Sequence, residues 1–335
     1  MRTLLLLIIL TIGHQALTEE NPARFVDGHE NDITSISISP DGKYIASGDW
    51  SGMVNIYFND TVPDYYLTFT DHSGPINTLA FSRDSKKLLT GGQDGKVCVY
   101  SFDDSTGLIF LDTSLNLSAG HISHVEFGPG LRMIFASDEI NTLYAYDIEK
   151  KKFRNIKAPG PITTFAVSID RSSYYVAVKG STDIIQFDPM GREKRRLTGH
   201  AGEITALALT LDRKFLISAG EDKKVMVWDI ATGKILHTFL EHTWDIKKVC
   251  VDPFSAYVIS CGLDGKVFVH DIRTGELLAT FDNTVGRCTD VCISSDLRRI
   301  AVGLQLRSQP EDEFGYGFNV WETQLKPPLP QNRKR

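Results

Sequence analysis

A pattern of about 40 residues returns about seven times along this chain and constrains its fold more than any other feature. The sharpest copy contains, in order, Gly199-His200, Ser218, the turn Glu221-Asp222-Lys223 and Trp228-Asp229. His29 and His72 are 43 residues apart, and His200 and His242 are 42 apart. A period of this length, with a tight aspartate turn before an aromatic-ended apolar run, predicts one propeller blade of four short strands per repeat.

The order of these residues resembles the motif of the WD-repeat β-propeller family, and the resemblance covers roughly residues 23–322. Only one repeat ends in the literal Trp-Asp pair, at Trp228-Asp229, and Trp321-Glu322 is a near match in the last repeat. The other repeats place a different aromatic residue or a histidine at this position: Tyr57, Tyr100, Tyr146, Phe187 and His270. The register across the repeats, rather than any single copy, carries the resemblance.

The resemblance implies that the recurring polar residues form a hydrogen-bonded chain through each blade. Such a chain gives a buried carboxylate a partner and fixes the tautomer of the imidazole. The residues concerned are His72, Thr90 and Asp94; His200, Ser218, Asp222 and Trp228; and His242, Ser260 and Asp264. A Ser-His-Asp set also suits nucleophilic catalysis, but a triad needs neither a recurrence at the repeat period nor a tryptophan. We therefore predict a structural role and no catalytic residues.

The rest of the sequence agrees with an all-β chain. Short alternating or apolar runs, such as residues 33–38 and 225–228, are separated by Gly, Asp and Pro turns, and helical periodicity is absent. Hydrophobic residues make up 42% of the chain, as in ordinary soluble domains, and the net charge of −6 gives no general reason to bind nucleic acid. We predict a seven-bladed propeller of four-stranded antiparallel blades over residues 22–323.

The blade count and the closure of the ring are separate predictions. The third, fourth and seventh repeats depart from the motif, so six or eight blades remain alternatives to seven. Steps of the type x-Thr-Phe precede several blades, and Ala23-Arg24-Phe25 stands in the same position before Gly28-His29. The last predicted strand, residues 318–321, has no such step after it. We therefore expect the N-terminal segment to supply the outer strand of the final blade, which leaves no unpaired edge.

The two ends of the chain lie outside the predicted propeller. Residues 1–18 combine a basic start with an aliphatic run at 4–10, which is typical of a secretory signal peptide. The run is shorter than the roughly 20 residues that a membrane-spanning helix needs, so no stable membrane span is predicted. Residues 324–335 are rich in proline and basic residues and are interpreted as a disordered tail, with a docking peptide for an aromatic groove as the alternative.

The compartment follows from the leader. We expect the secretory pathway or the extracellular space, and Asn59 and Asn116 each begin a sequon for N-glycosylation. The alternative is a cytoplasmic protein with a hydrophobic leader, since the family that the chain resembles is mostly intracellular. The five cysteines favour buried free thiols, with Cys261–Cys288 as the best candidate for a disulfide. Their spacing does not suit zinc, and no metal or cofactor is predicted.

Candidate partner-binding residues come from loops. Trp50 and Trp244 occupy loop positions where other repeats have polar or very small residues, so blade packing does not require them. Local capping of their own blades is the alternative. The insertion at residues 305–316 adds an acidic and aromatic set that either recognises a basic partner or is a solvated excursion, the interpretation that we favour: Glu311, Asp312, Glu313, Phe314 and Tyr316.

The channel of the predicted ring decides between a scaffold and an enzyme. The positions expected to face it carry no recurring carboxylate pair, and Lys247 alone makes no catalytic site: Thr34, Asn77, Thr205, Lys247 and Thr289. We therefore predict a non-catalytic scaffold that binds a protein or peptide, does not bind nucleic acid, and belongs to a larger complex. The alternative is a secretory-pathway propeller enzyme, or a sugar- or metal-binding protein, that uses the central channel.

Overall fold

The computed structural model describes residues 24–59, 64–283, 286–306 and 316–328, which form 28 strands and a 3₁₀ turn at Pro129–Leu131. The first fourteen strands are β1 Arg24–His29, β2 Ile33–Ile38, β3 Tyr44–Asp49, β4 Val54–Phe58, β5 Asp64–Phe69, β6 Ile76–Phe81, β7 Lys87–Gly92, β8 Lys96–Asp103, β9 Leu108–Asn116, β10 Ile122–Phe127, β11 Met133–Asp138, β12 Thr142–Asp147, β13 Lys152–Lys157 and β14 Ile162–Val167. The others are β15 Tyr174–Val178, β16 Asp183–Phe187, β17 Glu193–Thr198, β18 Ile204–Leu209, β19 Phe215–Gly220, β20 Val225–Asp229, β21 Lys234–Phe239, β22 Ile246–Val251, β23 Tyr257–Gly262, β24 Lys266–Asp271, β25 Leu277–Asp282, β26 Gly286–Ile293, β27 Arg299–Leu306 and β28 Tyr316–Glu322.

The strands form seven antiparallel sheets of four, which are the blades of a propeller. Blades one to six each use four consecutive strands, from β2–β5 to β22–β25, and blade seven has the order β26-β27-β28-β1. Strand β1 pairs with β28, with Arg24 opposite Val320 and Asp27 opposite Gly317. The all-β fold, the count of seven and the closure by an N-terminal strand are thereby confirmed.

Apolar residues are buried between neighbouring blades rather than in one central core. Seven apolar clusters are present among the described residues, one at each junction between blades. At the junction of blades five and six, Ile217 and Val227 pack with Ile246 and Val249. Because each blade covers the apolar face of the next, the ring is stable only as a closed set. The described part of the chain has no helix with the length and hydrophobicity to cross a bilayer.

The innermost strand of every blade has an irregular register near its start. In blade five the pairing shifts between Ile204 and Ala206, and the other six inner strands shift at the equivalent position. A bulge of this kind re-aims side chains, because the alternation of faces is interrupted. Consecutive residues, such as Thr205 and Ala206, therefore both border the central channel.

Polar side chains at these inner positions also connect one blade to the next. Five of them donate a hydrogen bond to a backbone carbonyl of the following blade: Thr34 to Ile76, Asn77 to Ile122, Thr163 to Ile204, Thr205 to Ile246 and Thr289 to Ile33. The last of these bonds joins blade seven to blade one. These bonds, together with the apolar clusters, give the loops at that end of the ring a rigid base.

Candidate functional site

Blade five contains a continuous hydrogen-bonded chain of side chains. The indole Nε1 of Trp228 donates to Ser218 Oγ at 2.8 Å, and Ser218 Oγ lies 2.7 Å from His200 Nε2. On its other side, His200 Nδ1 lies 3.0 Å from both carboxylate oxygens of Asp222. Asp222 also accepts a bond from the backbone N–H of Ala201. The chain therefore ties the turn between the second and third strands to the loop that enters the blade.

Blades two and six repeat the polar part of this chain. His72 lies 2.7 Å from Thr90 and 2.9 Å from Asp94, and His242 contacts Ser260 and Asp264 at 3.0 Å and 2.9 Å. Burial alone would raise the pKa of the carboxyls of Asp94 and Asp264. Hydrogen bonds from the histidines and from backbone N–H groups outweigh that cost, so both pKa values are lowered.

Blade six differs from blade five at the end of the chain. His270 stands where Trp228 stands in blade five, and its ring stacks on Phe239 with centroids 3.9 Å apart. Both ring nitrogens are buried without a hydrogen bond in the described structure, although Nε2 lies 3.3 Å from a carboxylate oxygen of Glu241. Burial lowers the pKa of His270, because it disfavours the charged imidazolium.

Blade one has a network that the sequence analysis did not assign. His29 lies 2.7 Å from Ser47 and 2.8 Å from Asp49, and all three are buried. The carboxylate comes 20 residues after the histidine instead of 22, because Ser51 occupies the usual aspartate position. Asp49 accepts bonds from the backbone N–H groups of Ser51 and Met53 and so closes the turn. The sequence signal that could have identified this network is an aspartate two residues before the usual aspartate position.

Blade three keeps the carboxylate but not the histidine. The hydroxyls of Ser118 and Tyr144 each donate to Asp138 at 2.8 Å. His121, which opens this repeat in the sequence, is part-exposed and lies 3.4 Å from Glu139. Blade three thus uses other side chains to hold the same turn.

The two loop tryptophans lie at one end of the ring, which we call the loop face: the end where each blade begins and where its second strand turns into its third. Trp50 and Trp244 are each 51% exposed. The guanidinium carbon of Arg287 lies 5.4 Å from the ring centroid of Trp244, which is a cation–π distance. Tyr316 is also exposed at the loop face, whereas Glu311, Asp312, Glu313 and Phe314 lie outside the described residues.

Two further apolar side chains on the loop face were missed from the sequence. Leu240, in the same loop as Trp244, and Ile140, in the aspartate turn of blade three, are both exposed. Exposed aromatic residues also lie elsewhere: Phe254 on the opposite face, and Phe110 on β9 at the outer rim of blade two. Exposed apolar residues therefore occur on other faces as well, and the loop face differs from them in carrying the two exposed tryptophans.

The channel brings together more ionisable residues than the sequence suggested. All five predicted channel positions line a cavity of about 110 Å³, and so do His124, Lys248 and Asp290. The inner-strand bulges account for the omission, since simple alternation places these three residues away from the axis. Glu126 lies further along the same strand as His124, and desolvation raises its pKa to about 7.

The two sequons differ in their surroundings. The side-chain amide of Asn59 donates to the Gly42 carbonyl at 2.9 Å, and Asn59 Oδ1 accepts a bond from Arg299 at 2.6 Å. Asn116 ends strand β9 and is exposed, and its side chain makes no hydrogen bond in the described structure. Asn116 is thus the more accessible of the two.

The remaining candidates are the cysteines and the two termini. All five cysteines are free, and burial raises the pKa of each thiol, that of Cys288 to about 12. No group of three or more potential metal ligands is assembled among the described residues. The predicted signal peptide and residues 329–335 lie outside the described residues. Of the predicted tail, residues 324–328 are described and mostly exposed, and Tyr257 donates to the Lys326 carbonyl.

Comparison with known proteins recognises four of the repeats. The model of the family "WD domain, G-beta repeat" matches residues 20–57, 64–101, 191–229 and 233–271. These segments contain the four buried histidines of the networks, and each contains the outer strand of one blade and the first three strands of the next.

Curated relatives match parts of the chain. Actin-interacting protein 1 of Drosophila melanogaster is 29% identical over 49% of this chain and 26% of its own length. A guanine nucleotide-binding protein subunit beta of Nicotiana tabacum is 26% identical over 37% of this chain and 33% of its own. A periodic tryptophan protein 2 homolog of Dictyostelium discoideum is 36% identical over 21% of this chain. The chain thus spans a third or less of the length of these relatives. This chain is thus a seven-bladed β-propeller in which four repeats match the WD-domain family model.

Proposed function

We propose that this protein is a non-catalytic scaffold that binds a protein or peptide partner on its loop face, through Trp50 and Trp244, as part of a larger complex. One observation carries the proposal: two tryptophans on a rigid face each leave half of their surface in solvent. Neither indole N–H has a hydrogen bond within the described structure, so each has a donor to offer a partner.

The energetics of interfaces support this assignment. Tryptophan and arginine are enriched among the few residues that dominate binding free energy, and Trp244 already stacks with Arg287. The turn that carries Trp50 is fixed by Asp49, whose carboxylate closes it from a buried position. A surface held in place before binding loses less conformational entropy when a partner docks.

The comparisons support partner binding without naming a partner. WD-repeat propellers generally serve as protein-interaction scaffolds. One relative is named for its interaction with actin, and another is named as a subunit. Those names describe the relatives, and the partner of this chain is a matter for experiment.

Capture from the source cell tests the proposal. The purified wild-type protein and the variants W50A, W244A and the double variant are used as bait. The matched control is F254A, since Phe254 is 44% exposed but lies on the opposite face. We expect loss of the specific partner with the double variant, by at least about tenfold in affinity, and retention with F254A. Retention by the double variant contradicts the proposal.

We also propose that the chain enters the secretory pathway, with Asn116 rather than Asn59 as the occupied glycosylation site. The leader motivates the first part, and the exposed amide of Asn116 supports the second. The test is the intact mass and the N-terminal sequence of the native protein. Removal of the leader with a glycan on Asn116 supports the proposal. An unprocessed, unglycosylated Met1 contradicts it and favours the cytoplasmic alternative.

A further inference from the structure

The central channel contains a polar cavity at its loop-face end, and neither Trp50 nor Trp244 lines it. The cavity measures about 110 Å³, several times the roughly 10–15 Å³ that one water needs. Its wall consists of one equivalent residue from each inner strand, the second residue in six of them and Thr289 in β26, and, because of the bulges, of several residues that follow these. Every blade contributes to the wall, so the cavity exists only in the closed ring.

Most of the hydroxyl groups in this wall are already committed as donors. The hydroxyls of Thr34, Thr163, Thr205 and Thr289 donate to carbonyls of the neighbouring blades. The hydroxyl of Ser123 is bonded within blade three, to Ser137. A ligand in the cavity must therefore draw its hydrogen-bond donors from other groups.

Three nitrogen-bearing side chains in the wall are free to serve. Lys247 has no hydrogen bond or ion pair among the described residues, and the ring nitrogens of His124 have no hydrogen-bond partner there. Lys248 has a single weak contact, 3.9 Å from Asp290. His124 is held by an edge-to-face contact with Phe165, with centroids 5.0 Å apart. His124 and Lys248 line the same cavity, and the Lys248 ammonium adds to the burial that lowers the pKa of His124.

The charge balance of the cavity is positive. Lys247 and Lys248 contribute two positive charges, and Asp290 is the carboxylate in the wall. One oxygen of Asp290 already accepts bonds from Ser35 Oγ at 2.6 Å and from the backbone N–H of Ile36 at 3.0 Å. Its charge is therefore partly satisfied by blade one. In a narrow channel with protein walls, an excess of positive charge attracts small anions more strongly than on an open surface.

We propose that the cavity binds a small oxyanion group, a carboxylate or a phosphate, between Lys247 and Lys248 on one wall and His124 on another. The group belongs either to a free anion or to an acidic side chain that a docked partner inserts from the loop face. In both cases the two ammonium groups supply the charge, and the imidazole supplies a directional hydrogen bond. The proposal stands independently of the scaffold function, because a free anion needs no partner.

The experiment titrates inorganic phosphate and, separately, acetate into the full-length protein at constant ionic strength. Heat of binding and the thermal midpoint are followed. The test variant is K247Q/K248Q, and the matched control is K223Q/K224Q, an adjacent lysine pair of similar exposure on the same face. The thermal midpoint of each variant without added anion shows whether it folds. We expect K247Q/K248Q to equal or exceed the wild type, since the change relieves repulsion.

We expect saturable binding of at least one anion to the wild type and to K223Q/K224Q, and at least tenfold weaker binding to K247Q/K248Q. Tighter binding of acetate than of phosphate identifies an acidic side chain as the natural source, and the reverse identifies a free phosphate group. Absence of saturable binding of both anions to the wild type overturns the proposal. Equal binding by K247Q/K248Q also overturns it. Because no partner is present, either failure leaves the test of the scaffold function untouched.

Discussion

Blades five and six use the same three-residue network and differ in what stands behind it. In blade five, Trp228 donates to Ser218 and completes the chain. In blade six, His270 fills the same place, but both its nitrogens are buried without a hydrogen bond to any described residue. The histidine, hydroxyl and carboxylate are thus sufficient to hold the aspartate turn, and the aromatic residue adds stability to the blade. The three polar residues therefore shape the loop face, whereas the aromatic residue only stabilises the blade beneath it.

The largest loss of stability is expected from removing the aspartate that blades five and six have in common. Asp222→Ala removes a carboxylate that partners a buried imidazole and the backbone N–H of Ala201. We expect a loss of about 3–5 kcal/mol in the free energy of unfolding, and a similar loss for Asp264→Ala in blade six. Urea denaturation measures both. Asp229→Ala is the control, because Asp229 caps an exposed turn, and a loss as large as that of D222A would contradict the account.

The next largest effect is expected from exchanging the residue that differs between the two blades. Trp228→His gives blade five the residue of blade six, and it removes a large buried side chain together with its bond to Ser218. We expect a loss of about 3 kcal/mol in the free energy of unfolding. Trp228→Phe keeps more of the buried surface and should lose less. If W228H is as stable as the wild type, the tryptophan has no stabilising role in blade five.

The reciprocal change should stabilise blade six. His270→Phe removes two buried nitrogens that lack hydrogen bonds and keeps a ring that can stack on Phe239. We expect a gain of about 1 kcal/mol in the free energy of unfolding, measured by urea denaturation at neutral pH. A loss of stability would mean that the contact between His270 and Glu241 is worth more than the burial of the two nitrogens costs.

The smallest effect is a dependence on pH. The pKa of His270 is lowered in the folded state, so the unfolded chain takes up its proton first as the pH falls below the usual value of about 6.5. The stability contributed by neutral His270 is complete above that pH and is lost as the pH falls toward the lowered folded pKa. The advantage of H270F over the wild type should therefore grow between pH 7 and pH 5. An advantage that is constant with pH contradicts this assignment.

Much of the fold could be predicted because repeats report local structure several times over. The spacing of the buried histidines defined the blades, and the Arg24-Phe25 step predicted the strand that closes the ring. The irregular blades were harder to predict. In blade three, Ser118 rather than a histidine bonds the turn aspartate, and no sequence motif marks Ser118 for that role. Asp49 was also missed, because it lies two residues before the usual aspartate position.

The candidate sites were less predictable because they depend on non-local packing. The positions of Trp50 and Trp244 followed from comparing repeats, but the stacking of Arg287 on Trp244 joins different blades. The channel residues His124 and Lys248 were missed because a bulge changes which residues face the axis. The alternation of faces along a strand can be predicted from the sequence. A bulge that interrupts this alternation is visible only when the pairing with the neighbouring strand is known.

Site-specific photo-crosslinking tests the central claim, that partners bind the loop face, most directly. A photoreactive residue is placed at position 50 or 244, and in separate variants at position 254 on the opposite face or 110 on the outer rim. We expect one partner to be crosslinked from positions 50 and 244 and none from 254 or 110. Crosslinking of the partner from 254 or 110, with none from the two tryptophan positions, would contradict it.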